Sequence, residues 1–321
     1  MKIKKLLLMA ATVSSVALLA ACGSKSASAK DGNKTVKIGI LQQINQTSLD
    51  EARKGFEAEM AKEGYKEGKN LKLDYVNAQG DQANLSTMSQ RLAKDKNDIN
   101  VGIATAAAQA LQKADPKTPM VFTAITDPKS AGLVSSMSHP DKNATGVTDM
   151  VDVSGQIKLL HKIAPKAKTI GLLYNAAEPN SAMQIKLAKK AIAALGLKST
   201  AQTVASTNDV EQATTALASQ SQAIYIPADN TLAASMATVG RVSIKKGVPV
   251  VPAANAMVTA GGVATNGISY EKLGRQTAQM AIKILKGKKP SALPVEKPNK
   301  VSVFENKKMM KKLGIDQSVL K

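Results

Sequence analysis

Short apolar runs alternate along this chain with longer stretches of helical period, and almost every run ends in a polar loop. Residues 35–41 read as a first strand, followed by the polar loop 42–47. Ser48 and Glu51 then have capping-box spacing, which predicts a helix running to Glu63 and stopped at Gly64. Residues 71–76 form the next strand, and the loop 77–81 leads into a helix with Leu85, Met88 and Leu92 on one face. A third strand covers 99–104, with Thr105 placed to cap the Ala-rich helix after it. A fourth covers 120–125 and stops at Thr126, Asp127 and Pro128. Four strand–helix units in a row predict a parallel, doubly wound sheet, and right-handed crossovers put their loops on one edge.

Residues 143–148 break this rhythm and read as the crossing to a second lobe. There the pattern resumes with a helix at 156–163 and a strand at 169–174. The next helix opens at Asn180 or Ser181 and has Leu187, Ala188, Ala191, Ile192 and Leu195 on its apolar side. Strands at 199–204, 223–226 and 248–251 follow, with a helix at 210–218. A strand at 263–268 heads back toward the first lobe, and 271–286 is an amphipathic helix with Leu273, Thr277, Met280, Ala281 and Ile284 on one stripe. Residues 301–304 form a late strand, before a Lys-rich helix and tail. The expected fold is α/β, with two doubly wound parallel-sheet, Rossmann-like lobes joined by hinge crossovers. The first lobe takes 35–147 and 271–292, the second 148–270 and 293–321.

Composition narrows the class. The chain has 321 residues, enough for two domains, and 44% hydrophobic content, enough for packed cores. It has no Trp and 2% aromatics, which disfavours sugar and nucleic-acid sites built on aromatic faces. Lys2, Lys4 and Lys5 precede an apolar stretch, 6–21, that is too short to span a bilayer. Its end, Leu19-Ala20-Ala21-Cys22-Gly23, resembles the bacterial lipobox. Residues 1–21 are therefore expected to be a lipoprotein signal, Cys22 the lipid attachment site, and 22–34 a flexible tether. With a single cysteine there is no disulfide framework. The net charge of +20 comes from lysines spread over helix faces without a basic motif, which suits a solvated surface near an anionic membrane and wall better than nucleic acid.

No catalytic residue, metal site or cofactor is expected. His139 and His161 lack metal-ligand spacing, and no nucleophile elbow, P-loop, zinc motif or dinucleotide fingerprint occurs. The candidate site is the set of loops after the strands, at 42–48, 77–81, 104–107, 123–127, 175–181, 206–208, 229–231 and 252–255. Candidate ligand residues there are Gln43, Ser48, Asp50, Thr105, Ala106, Thr126, Asp127, Glu178, Asn180, Ser181, Asp229 and Asn230. Helix starts with free N–H groups and hydroxyls favour a carboxylate, and the acids can hold an ammonium group. For Thr105 and Ser181, and for Asp127 and Asp229, a cap or turn role stands beside the ligand role.

The chain resembles the type I periplasmic-binding-protein-like lipoproteins of ABC importers, and within them the tryptophan/tyrosine, or aromatic amino-acid, branch. The likeness rests on Ser48-Leu49-Asp50 with Lys54-Gly55-Phe56, on Gly80-Asp81, on residues 101–105 and on Ala124-Ile125-Thr126-Asp127-Pro128. It continues through 143–147, 169–171 with Tyr174, 178–181, Ile226-Pro227 with Asp229-Asn230-Thr231, and Leu273-Gly274 with 283–287. Members of that branch often carry a His-Pro pair before the Leu-Asp loop; here Gln46-Thr47 stands there, so ligand preference can differ. The resemblance implies a monomeric two-lobed clamp on the extracytoplasmic face, closing over an aromatic or large apolar amino acid and presenting it to an ABC permease and its ATPase subunit. It also implies that helix starts near Thr105, Thr126 or Ser181 bind the carboxylate and that an acid such as Asp229 holds the amine. A LacI-like regulator would need an N-terminal helix-turn-helix, where this chain has a lipobox. An exported enzyme, or the same fold holding a branched amino acid, nucleoside or sugar, are the other readings.

Overall fold

The computed structural model describes residues 35–320; the signal, Cys22 and tether expectations lie outside the described residues. The first sheet is built from β1 (Val36–Gln42), β2 (Leu71–Asn77), β3 (Ile99–Ile103), β4 (Met120–Ile125) and β5 (Ala144–Thr148). All pairings are parallel, in the order β2-β1-β3-β4-β5. Ile99, Val101 and Ile103 of β3 are fully buried, as a central strand covered on both faces requires. Helices α1 (Thr47–Lys62), α2 (Gln82–Lys94) and α3 (Thr105–Ala114) connect the first strands.

Beyond residue 148 the chain enters a second lobe. Helix α4 (Val153–Ile163) precedes β6 (Thr169–Asn175), α5 (Pro179–Ala194), β7 (Lys198–Val204), α6 (Val210–Ala218) and β8 (Ala223–Ile226). Then come α7 (Asn230–Ala234), α8 (Met236–Lys246), β9 (Val250–Pro252) and α9 (Asn255–Ala260). The sheet is again parallel, in the order β7-β6-β8-β9. In each lobe the connections diverge to either side of the first strand. That is the switch point where an open α/β sheet leaves a crevice at its carboxyl edge.

The last part stitches the lobes together. Strand β10 (Ala264–Gly267) pairs antiparallel with β11 (Ser302–Glu305), and between them α10 (Tyr270–Leu285) returns to the first lobe. A short helix, α11 (Lys307–Lys312), follows. Helix α10 crosses α1 so closely that a Cβ on Gly274 would meet the Ala52 carbonyl oxygen, and one on Gly55 the Glu271 carbonyl oxygen. Its buried face includes Leu273, Thr277, Ala278, Met280, Ala281 and Ile284.

Two expectations need correcting. Residues 144–148 are not the crossing but the fifth strand of the first sheet, bonded to β4; the chain crosses just after, from Asp149. The fourth strand leads into turns rather than a helix. Helices α7, α8 and α9 were not anticipated from the pattern.

Candidate functional site

Two neighbouring cavities lie where the carboxyl edges of the two main sheets face each other. The outer one, about 320 Å³, is lined by Gln43, Ile44, Gly80 and Ala106 of the first lobe and by Asn175, Glu178, Asn180 and Asn230 of the second. The inner one has closed to about 10 Å³, room for one water. Gln46, Ser48, Leu49, Ala124, Thr126, Asp149 and Tyr270 line one side of it; Asn180, Ala228, Asp229, Asn230, Ala254 and Met257 line the other. The lobes touch directly here: the Gln46 side-chain amide donates to Asn230 Oδ1 at 3.3 Å, and that of Gln184 donates to Thr126 Oγ1 at 3.3 Å. Although the chain carries 44 Lys and Arg residues, neither cavity is lined by a cation.

The strand ends that form the first wall are strained. Ala104 and Ala124 have φ of 77° and 58°, the left-handed region that a residue with a Cβ adopts at a cost of about 1–3 kcal/mol. Such strain concentrates at ligand clamps. Helix α1 is capped by Gln46, whose side-chain oxygen accepts from the Ser48 N–H at 2.7 Å. The capping-box expectation for Ser48 is therefore corrected: Ser48 lies inside the first turn, and its buried Oγ has no hydrogen-bond partner. Thr105 likewise begins α3 without capping it; Gln43 Oε1 accepts from the Ala106 N–H at 3.3 Å instead.

The acids divide into structural and unoccupied ones. Glu178 accepts from the Asn230 N–H at 3.0 Å and the Thr231 N–H at 3.0 Å, and from the Asn230 amide and the Thr231 hydroxyl. Asp229 accepts from the Asn175 N–H at 2.7 Å and caps α7 through the Leu232 N–H at 2.8 Å. Both acids thus hold the start of α7, and both also line a cavity, Glu178 the outer one and Asp229 the inner one. Ser181 is fully buried in the first turn of α5 and lines neither cavity. Asp127 closes its own turn on Ser130 through the N–H at 3.0 Å and the hydroxyl at 2.5 Å. Asp50 accepts from the Gln42 amide at 2.8 Å. Neither Asp127 nor Asp50 lines a cavity. Gln43 and Ala106, Ser48 and Thr126, and Asn180 and Asn230 are brought to the cleft.

The acid that sequence reasoning missed is Asp149. It is 6% exposed, on the crossover that follows β5. Its Oδ2 accepts from the Tyr270 hydroxyl at 2.7 Å, while Oδ1 has no hydrogen-bond partner, the nearby Thr126 hydroxyl lying close enough to favour the ionised carboxyl. Tyr270 opens α10 just after the second crossover, so this bond ties two hinge segments beside the inner cavity. The sequence signal was an acid directly after the small-residue run Ala144-Thr145-Gly146-Val147-Thr148.

Burial raises the Asp149 carboxyl above the ordinary carboxylate range. Burial, then the neighbouring Glu178 charge, raises Asp229 as well. A carboxyl raised in the folded state holds a proton that the unfolded chain has already lost, so stability falls as pH rises above about 4. Groups shifted the other way, such as Glu59 held down by Gln279, Lys62 and Arg275, lose their contribution only near and below that pH. The midpoint of thermal unfolding is expected to be higher at about pH 5 than at about pH 8. A flat or rising profile by calorimetry would show both carboxyls ionised in the folded protein. Removing the Asp229 cap should also lower stability: Asp229→Ala is expected to cost about 2 kcal/mol, read as a lower urea midpoint.

Two parallel-sheet lobes, hinged by crossovers around a cation-free cleft, define the type I periplasmic-binding-protein fold. The chain belongs to the ABC transporter substrate binding protein family, which residues 37–320 match. It is 32% identical over 324 residues to a tyrosine-binding protein of Clostridioides difficile (strain R20291), covering 98% of this chain and 94% of that one. Among solved structures, an ABC domain from Streptococcus pneumonia in complex with L-Trp is 39% identical, with TM-score 0.85 over 89% of this chain and 98% of that chain. The ligand-free, open structure of a substrate-binding protein with adhesive properties from Clostridium difficile is 36% identical, with TM-score 0.69 over 88% and 96% of the two chains. At similar identity the tryptophan complex superposes far better than the open form, in keeping with the lobe-to-lobe bonds of Gln46 and Gln184.

Proposed function

We propose that this protein is the amino-acid receptor of an ABC importer, taking up tyrosine or tryptophan between its lobes and handing it to a permease. The observation that carries this reading is the inner cavity. It combines an apolar lining, from Leu49, Ala124, Ala254, Met257 and Tyr270, with two buried polar atoms that lack partners, Asp149 Oδ1 and Ser48 Oγ. A zwitterion with a large apolar side chain supplies what both parts lack. Asp149 takes the ammonium group. The hydroxyls of Ser48 and Thr126, with the amides of Gln46, Asn180 and Asn230, take the carboxylate. The identities of the bound ligands in the related proteins support the aromatic side chain.

Entry of the ligand has to part the lobes, because the closed inner cavity holds little more than a water. The ligand then replaces the weak Gln46–Asn230 contact with bonds to both lobes, which biases the hinge toward closure. Gln43 and Ala106 line the outer chamber through which it passes. Anchoring through Cys22 on the extracytoplasmic face belongs to this proposal, as does binding without turnover. The test is a thermal-shift screen against amino acids, nucleosides and sugars. Tyrosine or tryptophan at 100 times its dissociation constant should add about 2.7 kcal/mol. A shift from a nucleoside or sugar, with none from any amino acid, would overturn the reading; conversion of bound tyrosine to a product would make the protein an enzyme.

A further inference from the structure

The exposed large apolar side chains among the described residues are Tyr75, Val301, Val303 and Phe304. Tyr75 has the Arg53 guanidinium stacked on its ring at 4.5 Å. The other three lie along β11 and the residue before it, with 44%, 50% and 37% of their surface in solvent, Val303 and Phe304 projecting to opposite sides of the strand. Directly upstream, residues 298–300 wall a cavity of about 240 Å³ beside the second crossover. Its cations are Lys62, Lys272, Arg275 and Lys300. Its acid, Glu59, is buried and already engaged by Lys62 at 3.1 Å, Arg275 at 3.2 Å and Gln279 at 3.1 Å. Arg275 is shared with Glu271. Lys272 and Lys300 are exposed. Lys297, Lys307 and Lys308 frame the apolar strip further along, Lys307 reaching Glu305 at 3.6 Å.

We infer that this face docks on an anionic lipid surface, the basic cavity holding a lipid phosphate while the open edge of β11 enters the boundary between headgroups and acyl chains, with Val301, Val303 and Phe304 on its two sides. Apolar side chains next to unpaired lysines are what an interfacial segment needs, because burial and attraction to anionic headgroups add. A second copy of the chain fits poorly: it would set lysines against lysines, and three side chains fall far short of the area of a stable dimer. Nucleic acid fits no better, with Phe304 the one aromatic ring available for stacking along the strip. The inference is independent of which solute the cleft holds.

The chain has no Trp, so Phe304→Trp in the full-length protein creates a single fluorescent reporter at the strip. The probes are phosphatidylglycerol vesicles, phosphatidylcholine vesicles and inorganic phosphate. The expected result is a blue shift of emission with phosphatidylglycerol, reversed by salt, and no shift with phosphatidylcholine or phosphate. Lys272→Glu with Lys300→Glu in that background should weaken the apparent vesicle affinity of this face by about tenfold or more. In the chain without the reporter, Val303→Asp should reduce protection of residues 301–304 from hydrogen exchange on phosphatidylglycerol vesicles. The inference is overturned if phosphatidylglycerol leaves the emission unchanged, if phosphatidylcholine matches it, or if the double reversal has no effect. It is equally overturned if phosphate alone reproduces the response, which would make the cavity a free-anion site, or if only an added protein shifts the emission.

Discussion

Asp149→Asn is expected to weaken binding of tyrosine or tryptophan by about a hundredfold or more, while leaving the fold of the empty protein nearly unperturbed. The buried carboxyl has one oxygen on Tyr270 and one free beside the inner cavity. Burial favours its neutral form in the empty protein; an arriving ammonium group favours the charged one. Asn keeps the shape and the ability to accept from Tyr270, but it cannot supply the charge. A buried ammonium facing an amide loses a charge-assisted bond and is left uncompensated, a loss on the order of 3 kcal/mol. Calorimetric titration measures the affinity. A specific comparison is the des-amino analogue, 3-(4-hydroxyphenyl)propionate. The natural protein should strongly prefer tyrosine over it, and the variant should show little preference. Undiminished preference in Asp149→Asn would remove this carboxylate from amine recognition without touching the receptor assignment. If the natural protein binds no aromatic amino acid at all, the receptor assignment itself fails.

The second large effect is one of packing. Gly274→Ala puts a methyl group where the Ala52 carbonyl oxygen already sits, at the crossing of α1 and α10. The colliding group is backbone, so no rotamer change relieves the contact and one helix has to move. Overpacking of this kind costs about 3 kcal/mol, outweighing the gain of roughly 1 kcal/mol from replacing a helical glycine by alanine. The thermal midpoint should fall by roughly 4–8 °C. Tyr270 opens the same helix, so displacement of α10 draws the phenol away from Asp149 and should lower ligand affinity as well. An unchanged melting curve for Gly274→Ala would mean that the two helices have slack at the crossing.

Much of the fold was legible because parallel strands buried on both faces announce themselves as apolar runs. β1, β3, β4, β6 and β8 begin and end within a residue or two of where the pattern put them. β5 escaped because Ala144, Thr145 and Gly146 make a weak apolar signal, and its strand character comes from pairing with β4. α8 escaped because Gly240 and Arg241 interrupt an apolar face carried by Val239 and Val242. Several of the residues read as candidates from the sequence, such as Ser48, Thr126, Asn180, Asp229 and Asn230, line the inner cavity between the lobes. Sequence reasoning could not separate an acid whose oxygens are already engaged by a helix end from one with an oxygen left free. Asp229 and Glu178 turned out to be of the first kind, and the free carboxylate oxygen belongs to Asp149.

Because α10 lies so late in the chain yet covers α1, the first lobe is covalently incomplete for most of its synthesis. Phe56, Ala52 and their neighbours have no lid until Leu285 has emerged, by which time the whole second sheet has already been made. The second lobe waits as well, because Met309 and Met310 of α11 pack into its core, so neither lobe can be completed before the last helices of the chain are present.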